Sequence, residues 1–134
     1  MNAIEDNDFS RGWAEMGKSL PVPSAILCVS AHWMTRGTTL VNVKDKPQTI
    51  HDFGGFPKDL FDKQYPAPGA VALAKATAEH IPYTKGGLDA EWGLDHGTWS
   101  VLAQMFPMAD IPVYQLSIDY SKSPQWHYEL GKEL

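Results

Sequence analysis

Three histidines stand in local settings where an imidazole can do chemistry. His32 lies in Ser30-Ala31-His32-Trp33, directly after the apolar run Ala25-Ile26-Leu27-Cys28-Val29. That run reads as a buried strand, and the end of a strand in an open α/β sheet is where ligands usually bind. A neutral imidazole there suits zinc, iron or copper. No HxH or HExxH pair sits beside it, so local pattern equally allows a packed histidine bonded to a backbone carbonyl. His51 precedes Asp52 in Ile50-His51-Asp52-Phe53-Gly54-Gly55-Phe56-Pro57; the pair could line a substrate cleft, or Asp52 could tie the loop. His96 follows Asp95 and precedes Gly97 at a helix start. The positive end of the helix dipole favours anions there, a setting for proton transfer to an oxyanion or to bound dioxygen. The plainer alternative makes Asp95 an N-cap and His96 a first-turn surface residue. His80, at the end of a helix, reads as structural, and His127 beside Trp126 has no assigned role.

The elements that must position these side chains follow from periodicity. Asp6, Asn7 and Asp8 offer caps for a helix through Phe9, Trp13, Met16 and Leu20, apolar on one face, which Pro21 and Pro23 end. Residues 25–31 then suit a central strand covered on both faces, and 38–43 a second strand. Residues 47–68 form a long Pro-, Gly- and aromatic-rich connection with a helical turn near Lys58 to Asp62, a length that in a compact domain is usually functional. A helix over 70–80 follows, then an extended piece around Tyr83-Thr84-Lys85. Asp95 caps a helix burying Trp99, Leu102, Met105 and Phe106. Residues 111–118 make a third strand, and Pro124 opens a last helix. The expectation is one α/β domain over 1–134, a layered sheet flanked by helices, incomplete because its last helical pattern lacks a closing glycine.

Composition narrows the function classes. The chain has 134 residues, 43% apolar, with a formal net charge of -5. Its eleven basic residues are scattered, which argues against nucleic acid or a polybasic membrane patch. No apolar run reaches the roughly 20 residues that cross a bilayer, so a soluble, cytoplasmic protein is expected. The single Cys28 reads as a small core residue.

Several segments in the same order carry a specific resemblance: Met1-Asn2-Ala3-Ile4-Glu5-Asp6-Asn7, Ser30-Ala31-His32-Trp33, Thr49-Ile50-His51-Asp52-Phe53-Gly54-Gly55-Phe56-Pro57, Tyr65-Pro66-Ala67-Pro68-Gly69, Leu94-Asp95-His96-Gly97-Thr98-Trp99 and Pro112-Val113-Tyr114-Gln115-Leu116-Ser117-Ile118-Asp119. Through nearly its whole length the chain resembles the extradiol ring-cleavage dioxygenases of the LigB superfamily, specifically the 4,5-DOPA dioxygenase extradiol family. The resemblance implies a mononuclear non-haem metal, iron(II) or zinc, with His32 as a ligand. It implies His96 as an active-site histidine contacting substrate or dioxygen, and His51 with Asp52 in a motif lining the same cleft. The chemistry implied is chelation of a catechol, binding of dioxygen beside it and cleavage of the ring next to the two hydroxyls.

The family's pattern also has a His-Gly-Ser-Pro type motif before the segment that starts here, and further histidines after the segment that ends here. The chain therefore reads as an internal piece of about half an enzyme, expected to bind metal weakly, turn over little alone and be marginal in stability. Two other functions compete. One is a zinc-dependent hydrolase on a related scaffold. The other is a non-catalytic binding protein of the same superfamily, against which the joint retention of His32 and His96 speaks.

Overall fold

The computed structural model describes residues 2–81 and 87–134. Its elements are α1 (Asp8–Ser19), β1 (Ile26–Thr35), β2 (Leu40–Asn42), α2 (Lys58–Asp62), α3 (Val71–Glu79), β3 (Gly87–Asp89), α4 (His96–Met105), β4 (Val113–Asp119) and α5 (Pro124–Glu133). The extended piece expected around Tyr83-Thr84-Lys85 lies outside the described residues. The strands form one sheet in the order β1-β4-β2-β3, with β1 parallel to β4, β2 parallel to β3, and β2 antiparallel to β4. The α/β class with helices around a sheet is as expected.

The central strand is β4, and its alternation organises the core. Val113 joins a cluster with Leu94, Trp99, Leu102 and Ala103, whereas Tyr114 and Leu116 join Val41, Ala74, Ile81 and Leu130 on the other face. Successive side chains of a strand point to opposite faces, so β4 serves two cores at once. Helix α4 packs on β1 and carries α1 on its outer side, while α3 covers β2 and β3.

Two expectations need correction. Among the described residues the apolar run over 25–31 is not a central strand covered on both faces: β1 lies at the edge of the sheet, with Val29 and Met34 more than half exposed. A continuous apolar run cannot say which side of a strand finds a neighbour. The apolar face of α1 is likewise turned outward, with Phe9, Met16 and Leu20 all exposed. Its buried residues are Ser10 and Gly17. A Cβ on Gly17 would lie 2.1 Å from the Met105 carbonyl oxygen, so α1 meets α4 through its small residues and the larger ones are excluded from that contact. The cap is Asn7, whose side chain accepts from the Phe9 and Ser10 N–H groups while the Ser10 hydroxyl returns a bond to the cap.

The helix capped by Asp95 also forms as expected, burying Trp99 and Leu102, although Met105 and Phe106 are only half-buried. Among the described residues no helix is long and apolar enough to cross a membrane.

Candidate metal centre

Three chain segments converge at the N-terminal end of α4. The β1/β4 ladder runs in step from Ile26 to Val29, then slips before it resumes at Met34. Extra residues bulge out of the strand in between, and His32 projects from that bulge, a device that commonly re-aims a side chain beside a functional site. The second segment is the long connection. Its start is pinned next to α4 by a bridge between Thr49 and Leu94, with Ile50 N–H donating to the Leu94 carbonyl at 2.7 Å and Leu94 N–H to that of Gln48 at 2.7 Å. The Trp99 indole N–H adds a bond to the Ile50 carbonyl at 2.8 Å. This tether carries Asp52 over the first turn of α4, where the His96 backbone N–H donates to its Oδ1 at 2.9 Å.

Asp52 thereby stands between two imidazoles. Its Oδ1 is 3.0 Å from His96 Nδ1 and its Oδ2 is 3.6 Å from His32 Nδ1. The two rings are in contact at a tilt of 46°, with centroids 3.9 Å apart. Although His96 Nδ1 is close to the carboxylate, it lies outside hydrogen-bonding direction and is buried with no partner. Partial burial pushes the Asp52 carboxyl upward, but the His96 N–H and the neighbouring imidazole outweigh it and hold the carboxyl below its ordinary value. The carboxylate is therefore charged at neutral pH, which suits a cation beside it.

Below this cluster lies a layer organised by one buried carboxylate. Asp95 is completely buried. Its carboxylate accepts from the Ser30 hydroxyl at 2.6 Å, Gln115 Nε2 at 2.8 Å, Trp92 Nε1 at 3.3 Å and the Thr98 N–H at 3.3 Å. Ser30 in turn accepts from the His32 N–H at 3.2 Å, so the helix cap and the bulge are one network. Gly97 makes this approach possible: a Cβ there would fall 2.7 Å from both His32 Cδ2 and Ser30 Oγ.

His32, Asp52 and His96 are thus brought together, with donor atoms within 4.8 Å of one another. Two imidazoles and a carboxylate are the donor types of a non-haem iron site and also suit zinc. The donor types, their mutual distances and the ionised Asp52 carboxylate fit a bound cation. His51 is not part of the group. Its Nε2 donates to the Lys63 carbonyl at 2.8 Å, and its ring packs near Phe53, Phe61 and Trp99. It ties the two ends of the long connection.

The other histidines are bonded to backbone: His80 Nδ1 to Ala76 at 2.8 Å and His127 Nε2 to Asp119 at 3.0 Å. Burial pushes the Cys28 thiol up to about 11, which keeps it protonated at neutral pH.

Next to the cluster a cavity of about 210 Å³ opens, bordered by His96, Phe53, Phe56, Leu60, Trp99 and Trp13. Ser30, Gln115 and Gly97 were not singled out as site residues by sequence reasoning. Their roles depend on contacts across 65, 20 and 65 positions, and the only local signal was the glycine after His96.

Residues 3–134 match the family described as the catalytic LigB subunit of aromatic ring-opening dioxygenase. The chain belongs to the LigB family. Among its relatives in that family, a 4,5-DOPA dioxygenase extradiol of Escherichia coli K12 is 54% identical over all of this chain and 49% of its own length. One of Mirabilis jalapa is 41% identical over 98% of this chain and 49% of its own. A solved structure, an uncharacterized protein of Escherichia coli K12, superposes with a TM-score of 0.79 at 45% identity, covering 98% of this chain and 48% of that one. The chain spans about half the length of the curated relatives it matches.

Proposed function

We propose that the intact protein is an extradiol dioxygenase that opens a catechol-type ring with dioxygen at a mononuclear iron(II) or zinc site, and that residues 1–134 are part of its single catalytic domain. The observation that carries this reading is the convergence of His32, Asp52 and His96 beside a largely apolar cavity, in a chain whose relatives are named 4,5-DOPA dioxygenase extradiol. When bound, the metal would chelate both hydroxyls and bring dioxygen next to the ring, converting a bimolecular encounter into a positioned one.

His32 is the ligand this chain supplies, aimed by the bulge and anchored through Ser30 to Asp95. Asp52 fixes the first turn of α4 and sets the charge between the two imidazoles. With His96 Nδ1 turned toward Asp52, Nε2 is left to exchange a proton with a catechol hydroxyl. His51 serves substrate binding indirectly, by holding the loop that carries Asp52 and Phe53.

A second reading of the same residues has His32, Asp52 and His96 as a complete facial ligand set, favoured by the buried and unpartnered Nδ1 of His96. His96→Ala separates the two: metal affinity falls as far as in His32→Ala if His96 is a ligand, and stays near the parent value if it moves protons.

The reaction class is tested by adding catechol to the intact, iron(II)-loaded protein in an oxygen electrode. One dioxygen consumed per ring, with a coloured ring-opened product, is the expected result. Absence of uptake together with metal-dependent ester or amide hydrolysis would assign the site to the hydrolases instead.

A further inference from the structure

We infer that the stacked indoles of Trp33 and Trp92 are the device that positions His32, holding its ring against His96 at the cluster. The inference rests on the reading of His32 as a metal ligand and adds the residues that aim it. Between Val29 and Met34 the residues of β1 have no register partner in β4, so strand pairing does not set the direction of His32. Its side chain is 42% exposed, which leaves the ring room for other rotamers. Ala31 and His32 form an exposed pair between two buried residues, Ser30 and Trp33. Those two residues are the pins of the bulge.

Each pin has a fixed partner. Ser30 donates to Asp95 Oδ1 at 2.6 Å. Trp33 lies against Trp92 with ring planes 4° apart and centroids 5.5 Å apart, the offset stack that aromatic pairs favour. Trp92 is held independently of the histidines: its N–H donates to Asp89 Oδ1 at 2.7 Å, and its carbonyl accepts from Asn42 Nδ2 at 2.6 Å. Its indole N–H donates to Asp95 Oδ2 at 3.3 Å, which closes a circuit from Ser30 through Asp95 and Trp92 to Trp33. His32 stands on the span that this circuit pins at both ends. Without the stack the Trp33 end is free, and a ligand that must be ordered on binding binds more weakly. Loss of a residue that orients a metal ligand typically lowers affinity by about 10- to 100-fold.

Two substitutions at the half-buried Trp92 separate the stack from the hydrogen bond. Trp92→Phe keeps an aromatic face and removes the N–H donor; Trp92→Gln keeps a donor and removes the face. In the metal-free intact protein, NMR reads the cross-peak between the His32 and His96 rings, whose centroids are 3.9 Å apart. Far-ultraviolet circular dichroism reads the exciton couplet of the paired indoles. The parent should show both signals. The cross-peak should persist in Trp92→Phe and vanish in Trp92→Gln, and zinc affinity should fall about tenfold in Trp92→Gln alone. Trp126→Gln, at a half-buried indole packed against the other core, is the structural control and should change neither cross-peak nor affinity. Loss of the cross-peak in Trp92→Phe, its survival in Trp92→Gln, an equal loss in Trp126→Gln, or a parent without the couplet or the cross-peak overturns the inference. The first and last of these outcomes need no folded Gln variant. His32→Ala reads the metal assignment separately. Zinc affinity unchanged in His32→Ala, with the cross-peak lost in Trp92→Gln, removes the ligand and leaves the positioning; affinity lost in His32→Ala but kept in Trp92→Gln leaves the ligand and removes the positioning.

Discussion

Asp95 and Asp52 both sit at the N-terminal end of α4, yet they do opposite things. Asp95 is fully buried and its carboxylate is saturated by donors from β1, β4, α4 and the segment before it. Asp52 is partly open to solvent, has one backbone donor and faces two imidazoles, one with a nitrogen that has no partner. A buried polar group that has spent its hydrogen-bonding capacity contributes to stability. Groups gathered with capacity unspent are available to a ligand. The lower layer is therefore the platform and the upper one the candidate site, although one helix turn carries both.

Removing a platform residue should cost the most. Asp95→Ala deletes the α4 cap, worth about 1 kcal/mol, and strands the Ser30, Trp92 and Gln115 donors, at about 1–3 kcal/mol for each group left without water. A loss of about 4 kcal/mol in urea unfolding is expected. A loss under about 1 kcal/mol would show that the network is not a platform. Next comes Gly97→Ala, whose methyl must displace His32 or Ser30. Overpacking of this kind costs about 1–3 kcal/mol, and here it should also weaken metal binding, which no equally destabilising substitution on α3 should do.

Acid offers a smaller perturbation. Burial pushes the Asp119 carboxyl up, but donors from Ser121 and from the Gly37 N–H outweigh it and hold it below the ordinary carboxylate value of 3.8. A depressed folded value means stability present above the unfolded value and lost as pH falls through the folded one. The unfolding midpoint should therefore hold from pH 7 to about 5 and drop below about 4, with a shallower drop in Asp119→Asn. The smallest change in stability belongs to the site itself: His32→Ala, at a side chain 42% exposed, should alter unfolding by less than about 0.5 kcal/mol.

The sequence exposed the site's histidines more readily than their support. His32 and His96 were legible because each stands at an element boundary, the end of an apolar run and the residue after a capping aspartate. Asp52 could be read as a loop carboxylate, but its bond to the His96 N–H spans 44 positions, and no local pattern encodes that. The bulge that aims His32 was hidden for the same reason: it exists only relative to β4. In α1 the period showed a one-sided helix, and the larger residues suggested the wrong side as the packed one. Ser10 and Gly17, seven positions apart and both small, marked the covered side. β3, three residues beginning on a glycine, had too short a pattern to register, and it forms because Leu40 to Asn42 offer it a partner.

The central claim is that the unsatisfied cluster exists to hold a metal, and metal affinity tests it most directly. Zinc titrated calorimetrically into the intact protein and into its His32→Ala variant should show at least a 100-fold loss of affinity, about 2.7 kcal/mol at about 1.4 per factor of ten, with the unfolding curve almost unmoved. Equal affinities in the two proteins would contradict the account and return His32 to the ordinary surface histidines.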